Sequence, residues 1–138
     1  MIFKKSLLVA TPVLILLCAG IWAVYEYRKP HTGVSGKSTN IYTDAAKLYN
    51  DFSIDEPTAN TKYINKVIEV TGTIDDIQNT NGALIIVLKA NQSFAGVSCK
   101  MFDPKNNYHS KGEKITIKGI CSGFLNDVNL VDCVLKIN

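Results

Sequence analysis

The sequence contains few of the residues from which most catalytic and metal sites are built. Its only histidines are His31 and His109, and its four cysteines include no Cys-x-x-Cys pair. Neither histidine lies near two cysteines, so the clustered ligands of a tetrahedral metal site are missing. The sequence also lacks a glycine-rich phosphate loop and a Gly-x-Ser-x-Gly motif. We therefore predict that the protein is not an enzyme and binds no metal or cofactor.

Arginine is absent from Ile41 to the C-terminus, where ten lysines face eleven aspartate and glutamate residues. This part of the chain is close to neutral, and the positive excess of the whole sequence lies before Ile41. A near-neutral domain lacks the basic surface expected of a general nucleic-acid-binding protein. The total of 138 residues leaves room for one domain.

The first part of the chain has a long stretch without charge. Residues 6–25 include no charged side chain, Lys4 and Lys5 precede them, and Trp22 and Tyr25 mark their far end. As a helix, this stretch would span about 30 Å, the thickness of the hydrocarbon core of a membrane. Aromatic side chains favour the membrane interface, and lysines favour the cytoplasmic side. The pattern predicts one transmembrane helix with the N-terminus inside.

This helix divides the chain into three predicted parts. An anchor over 1–27 is followed by a flexible linker over 28–40, rich in Gly, Ser and Thr, and by one domain over 41–138. We expect a bacterial inner (cytoplasmic) membrane protein whose domain lies outside the cytoplasm. A cleaved signal peptide and a lipoprotein acylated at Cys18 are disfavoured, because the cleavage site is a poor match and the large Leu17 precedes Cys18.

Two short helices are predicted at the start of the domain. Thr43 is suited to cap the first helix, and the second begins near Asp55. Tyr49, Phe52 and Tyr63 form an aromatic stripe on these helices. Their helical spacing favours packing against the core over a surface on which bases stack.

The rest of the domain has the pattern of β-strands. Apolar and polar residues alternate in five stretches, and a strong turn signal, 79–82, separates the first two. The predicted strands are Lys66–Asp76, Ala83–Lys89, Gly96–Phe102, Glu113–Cys121 and Val128–Ile137. The first and fourth share a pattern that ends on Gly72 or Gly119, where a strand can bend.

The order of these strands, with a short connector between the third and fourth, is that of an OB-fold. The predicted fold class is therefore mainly β. It is a five-stranded OB-fold Greek-key barrel, preceded by two short helices and the N-terminal transmembrane helix. In this topology the first strand pairs with the fourth, and the third pairs with the fifth.

Several of these strand residues also carry a family resemblance. The pattern is Tyr63-x-x-Lys66-x-Ile68-x-Val70-x-Gly72, then Gly96-Val97-x-Cys99, then Gly112-x-Lys114-x-Thr116-x-Lys118-Gly119-x-Cys121-x-Gly123-x-x-x-Asp127-Val128-x-Leu130-x-x-Cys133. It resembles the tRNA-anti-like family of small bacterial OB-fold domains, which often have an N-terminal membrane segment. The resemblance covers about Asp44 to Leu135. It implies kinship with anticodon-binding OB domains and supplies no catalytic residues.

OB barrels usually bind ligands across the second and third strands. The outward side chains of these strands are predicted to be Ile85, Val87, Lys89, Ser98, Lys100 and Phe102. An aromatic ring and two lysines suit a short oligonucleotide or oligosaccharide. The sequence thus predicts a membrane-anchored binding module whose ligand is unassigned. The alternative is a structural module of a cell-envelope assembly that contacts a protein partner through the apolar second strand.

The cysteines of the barrel leave three alternatives open. The first choice is a Cys121–Cys133 disulfide, which would join the last two strands across their turn. It requires that the domain lies in an oxidising compartment. A Cys99–Cys133 disulfide would join the third and fifth strands, which are also neighbours. Three buried thiols are the third alternative. The inward parity of Val128 and Leu130 shifts before Cys133, which predicts a β-bulge there.

Overall fold

A computed structural model of the chain describes residues 15–25, 33–91, 95–105 and 109–136. The chain divides into two compact units, Met1–His31 and Thr32–Asn138. In the first unit, residues 15–25 form helix α1. No helix within the described ranges is both long and apolar enough to span a membrane. The predicted span 6–25 and the predicted linker 28–40 each begin outside these ranges.

The described residues of the second unit form two helices and six strands. They are β1 (Ile41–Asp44), α2 (Ala45–Ile54), α3 (Glu56–Tyr63), β2 (Val67–Thr80), β3 (Ala83–Lys89), β4 (Gly96–Met101), β5 (Lys114–Phe124) and β6 (Val128–Leu135). The predicted bounds of β3 are confirmed, whereas β2 and β5 extend further toward the C-terminus than the alternation alone predicts.

Strands β2 to β6 form a closed five-stranded barrel. Strand β2 pairs antiparallel with both β3 and β5, and β3 pairs antiparallel with β4. The barrel closes because β6 lies between β4 and β5, parallel to the first and antiparallel to the second. This is the Greek-key order of an OB-fold. The predicted pairings of the first strand with the fourth, and of the third with the fifth, are confirmed.

A sixth strand, β1, corrects the sequence prediction at the start of the domain. Ile41 and Thr43 pair in parallel with Ile68 and Val70 of β2. Thr43, predicted to cap α2, lies in this strand, and Asp44 caps α2 instead. The Asp44 carboxylate accepts a hydrogen bond from the backbone nitrogen of Lys47 at 2.8 Å.

Helix α2 packs its apolar face against β2, β3, β4 and β6. The predicted start of the second helix near Asp55 is confirmed. Asp55 ends α2 and caps α3, with its carboxylate accepting from the Thr58 backbone nitrogen at 3.1 Å. Phe52 and Tyr63 are fully buried, and Phe52 stacks on Phe124 of β5 with ring centroids 5.4 Å apart. The aromatic stripe is therefore part of the core, which confirms the packing interpretation.

A tight turn and a β-bulge lie at the positions predicted from the sequence. Asn81 and Gly82 both have positive φ angles, 52° and 77°, as the tight turn between β2 and β3 requires. Near Cys133, the register of β6 against β5 shifts, and Asp132 has a φ of 52°. The β-bulge before Cys133 is thereby confirmed.

Candidate ligand-binding face

Strands β3 and β4 bring five of the six predicted ligand-binding residues onto one outward face. Ile85 lies opposite Lys100, and Val87 lies opposite Ser98, so their side chains emerge on the same side of the sheet. Lys89, at the end of β3, continues this row. We call these five residues the β3–β4 face. Their alternate neighbours point into the core, where Leu84, Ile86, Leu88, Val97 and Cys99 are fully buried.

The β3–β4 face combines an apolar centre with two cations. Ile85, Val87 and Ser98 are half-buried, whereas Lys89 and Lys100 are exposed. Among the residues that the structure describes, neither ammonium group has an acidic partner within 4.0 Å. Both lysines are therefore available for an anionic ligand.

Phe102, the sixth predicted residue, is in a different environment. It follows the last residue of β4, and its backbone nitrogen donates to the Cys133 carbonyl at 2.8 Å. Gly33, with a φ of 59°, lies against the ring, so that a Cβ there would be 3.0 Å from Phe102 Cγ. Phe102 as a whole is 41% exposed, and Gly33 lies against part of its side chain. Phe102 is thus a partly covered neighbour of the β3–β4 face.

Residues 33–40, which the sequence analysis assigned to a flexible linker, are held against the barrel. Val34 is fully buried. Asn40 makes two hydrogen bonds to Val67 of β2: its backbone nitrogen donates at 2.8 Å, and its side-chain oxygen accepts at 3.0 Å. The apolar Val34 was the one signal in the sequence for this packing. We call residues 33–40 the N-terminal strap.

The structure places Cys133 beside Cys99. All four cysteines are free thiols in this structure, and the Cys121–Cys133 pairing stays a prediction from the sequence. Cys121 lies opposite Leu130 in the register of β5 and β6, whereas Cys133 lies opposite Met101 of β4, two residues from Cys99. Cys133 Sγ also occupies the space above Gly119, where a Cβ would approach to 2.5 Å.

Two of the barrel thiols, Cys121 and Cys133, are poor nucleophiles at neutral pH. Burial raises the pKa of the Cys121 thiol to about 11. The hydrogen bond with Cys99 and burial raise the pKa of Cys133 well above its ordinary value. Because the thiolate is the reactive form, neither group is suited to catalysis.

If the barrel folds in the presence of an oxidant, we expect a Cys99–Cys133 disulfide, because these two thiols are in contact. The full chain would be refolded from urea with oxidised glutathione, and the crosslinked peptides identified by mass spectrometry. Cys121→Ser should leave the crosslink unchanged, and Cys133→Ser should abolish it. A Cys121–Cys133 peptide in the native chain would contradict this prediction.

Within the described ranges, no group of three His, Cys, Asp or Glu side chains is placed to hold a metal ion. His109 instead contacts Glu113, with 2.8 Å between Nδ1 and Oε1. This contact holds the pKa of the Glu113 carboxyl below its ordinary value. His109 therefore has a structural partner on the connector to β5.

A closed five-stranded Greek-key barrel with an outward face on its second and third strands defines an OB-fold binding domain. The chain belongs to the tRNA_anti-like family, whose family model matches residues 1–135. No curated protein matches it in sequence.

Two solved structures are similar to this chain. One is a lipoprotein from Klebsiella pneumoniae for which nucleic-acid binding has been suggested. It is 20% identical, with a TM-score of 0.59 over 79% of this chain and 100% of that chain. The other is the S. pombe Stn1–Ten1 complex, 15% identical, with a TM-score of 0.40 over 52% of this chain and 59% of that chain.

Proposed function

We propose that this protein is a membrane-anchored OB-fold module that binds a short single-stranded oligonucleotide on its β3–β4 face. The observation that carries the proposal is the placement of Lys89 and Lys100, without acidic partners among the described residues, around the half-buried Ile85 and Val87. Lysines attract phosphates, and the apolar centre suits the faces of bases. The family and the suggested nucleic-acid binding of the Klebsiella lipoprotein support this ligand class over an oligosaccharide.

The anchoring part of the proposal is supported by the side chains of α1. Seven large apolar residues of this helix are more than half exposed: Ile15, Leu16, Leu17, Ile21, Trp22, Val24 and Tyr25. An apolar surface of this kind on one helix is typical of a segment that contacts lipid or another protein. Together with the charge-free run 6–25, it supports a membrane anchor, and Lys4 and Lys5 before this run favour a domain outside the cytoplasm.

Because the domain is near neutral, we expect oligonucleotide binding to depend on salt only through the few lysines that contact phosphates. With two lysines in contact with phosphates, the logarithm of the association constant should fall with the logarithm of salt concentration with a slope of about −1.4. Lys100→Glu should weaken binding about tenfold, because it replaces an attraction to phosphate by a repulsion beside the apolar centre of the face. Fluorescence anisotropy of a labelled oligothymidylate, titrated with the full chain in a mild detergent, measures both quantities.

Lys114→Glu is the matched control. Lys114 is an exposed lysine at the start of β5, outside the β3–β4 face, and carries the same change in charge. We expect its affinity to stay within about twofold of the native chain. Equal losses of oligonucleotide affinity in Lys100→Glu and Lys114→Glu would show that binding is a non-specific attraction to positive charge. Absence of oligonucleotide binding would refute the proposal and favour the protein-interaction module.

A further inference from the structure

A second concave surface lies on strands that the β3–β4 face does not use. It is a cleft of about 640 Å³ between the N-terminal strap and strands β1, β2, β5 and β6. Its lining includes Lys37, Tyr42, Glu69, Lys118 and Lys136. The volume lies within the range of small-molecule sites in proteins, about 300–1,000 Å³. We call it the strap cleft.

The charges of the strap cleft are organised around one buried carboxylate. Only 9% of the Glu69 side chain is exposed, and its oxygens accept from Lys136 Nζ at 2.7 Å and from the Thr39 hydroxyl at 3.1 Å. The Lys136 and Thr39 hydrogen bonds hold the pKa of Glu69 below its ordinary value, so it is ionised at neutral pH. Glu69 thereby fixes the position of Lys136 at the cleft.

The other two cations come from distant parts of the chain. Lys118 Nζ, on β5, donates a hydrogen bond to the backbone carbonyl of Lys37 in the strap. This bond draws Lys118 toward the cleft without neutralising it, because a carbonyl carries no net charge. Three lysines and one glutamate leave the lining with an excess of two positive charges. Such a surface favours an anion.

An aromatic ring lies beside these cations. Tyr42, on β1, is 70% exposed, and Lys136 Nζ is 6.0 Å from the centre of its ring. Val134 and Leu135 of β6 add apolar surface to the same cleft. A ligand that contacts both the lysines and the apolar surface around Tyr42 needs a negatively charged group and a flat, less polar group. Exposed tyrosine rings stack well on planar heterocycles.

We propose that the strap cleft binds a small ligand carrying a phosphate and a planar ring, the chemistry of a nucleotide. The phosphate lies between Lys118 and Lys136, and the ring stacks on Tyr42. A lysine ammonium interacts with phosphate as a point charge that needs no bidentate geometry. The buried Glu69 keeps Lys136 in place before the ligand arrives, which reduces the entropy lost on binding.

Calorimetric titration of the full chain in a mild detergent tests this proposal with three probes: adenosine 5′-monophosphate, adenosine and inorganic phosphate. We expect the nucleotide to bind at one site, and adenosine and phosphate each to bind at least about tenfold more weakly. Lys118→Gln should weaken the nucleotide about tenfold, because it removes a charge-assisted hydrogen bond and keeps a donor for the Lys37 carbonyl. Tyr42→Leu should weaken the nucleotide and leave phosphate unchanged.

Lys114→Gln is the control, since Lys114 lies on the same strand as Lys118 but outside the cleft. Circular dichroism of each variant verifies that it is folded. An equal effect of Lys114→Gln, or no saturable nucleotide binding up to about 10 mM, would overturn the proposal. The two proposals can fail separately, because Lys118→Gln changes only the strap cleft, on β5, and Lys100→Glu changes only the β3–β4 face, on β4.

Discussion

Replacing Phe52 with alanine is expected to lower the free energy of unfolding by about 3–5 kcal/mol. The ring is 1% exposed and lies between two other aromatic rings, with centroids 5.7 Å from Tyr63 and 5.4 Å from Phe124. Alanine would leave a cavity at the junction of α2, α3 and β5. The two surrounding rings belong to two different elements, α3 and β5, so the cavity closes only in part.

Urea denaturation of the full chain, followed by circular dichroism, measures this change. Ile54→Ala is the matched control, because it removes a large apolar side chain from the same helix at a position that is 80% exposed. We expect the control to change the free energy of unfolding by less than about 0.5 kcal/mol. Alanine has a higher helix propensity than either residue, so similar losses for the two variants would contradict the assignment of the Phe52 effect to its buried ring.

The barrel itself was predictable because its signals are local. The apolar run of β3 and the Asn81–Gly82 turn indicate a hairpin without any knowledge of distant residues. The glycine-ended patterns of β2 and β5 mark two strands that pair in the structure. The outward residues of β3 and β4 follow from alternation alone, since one strand and its register determine which side each residue faces.

The N-terminal strap and β1 were not predictable, because they depend on contacts between distant parts of the chain. Ile41 lies opposite Ile68, and the Asn40 side chain accepts from Val67, 27 positions away. A segment rich in Gly and Ser has the composition of a linker until a partner strand is in place. The partial covering of Phe102 by Gly33 has the same origin, and it changes the chemistry expected of the β3–β4 face.

The strap cleft was missed for a related reason. Lys37 lies in a stretch with the composition of a linker, and Lys118 and Lys136 lie in stretches with an ordinary strand pattern. Glu69 is likewise one polar position in an alternating strand, so none of these residues is distinguished by its neighbours in the sequence. Only the closure of the barrel brings Lys118 near the Lys37 carbonyl, and only β6 brings Lys136 to Glu69. Sites assembled from four strands and a strap have no signature at fixed spacing, in contrast to a turn or a cap.

Gly96→Ala is expected to destabilise the domain by about 3 kcal/mol, at the upper end of the usual cost of overpacking. A Cβ at this position would lie 2.1 Å from the Leu88 carbonyl oxygen, which is backbone and cannot rotate away. Gly96 also donates its backbone N–H to the Asp127 carboxylate at 2.7 Å. Relief of the clash would therefore displace the start of β4 from both β3 and the β5–β6 turn.

The same displacement should weaken oligonucleotide binding, because Gly96 pairs with Lys89 and begins the strand that carries Lys100. Urea denaturation and the anisotropy titration measure the two effects on one preparation. Gly36→Ala is the control: a Cβ there meets nothing within 4 Å, and its stability should change by less than about 0.5 kcal/mol. Native stability in Gly96→Ala would show that β3 and β4 can separate locally. The β3–β4 face would then be a deformable surface, and its affinity would depend on the cost of ordering it.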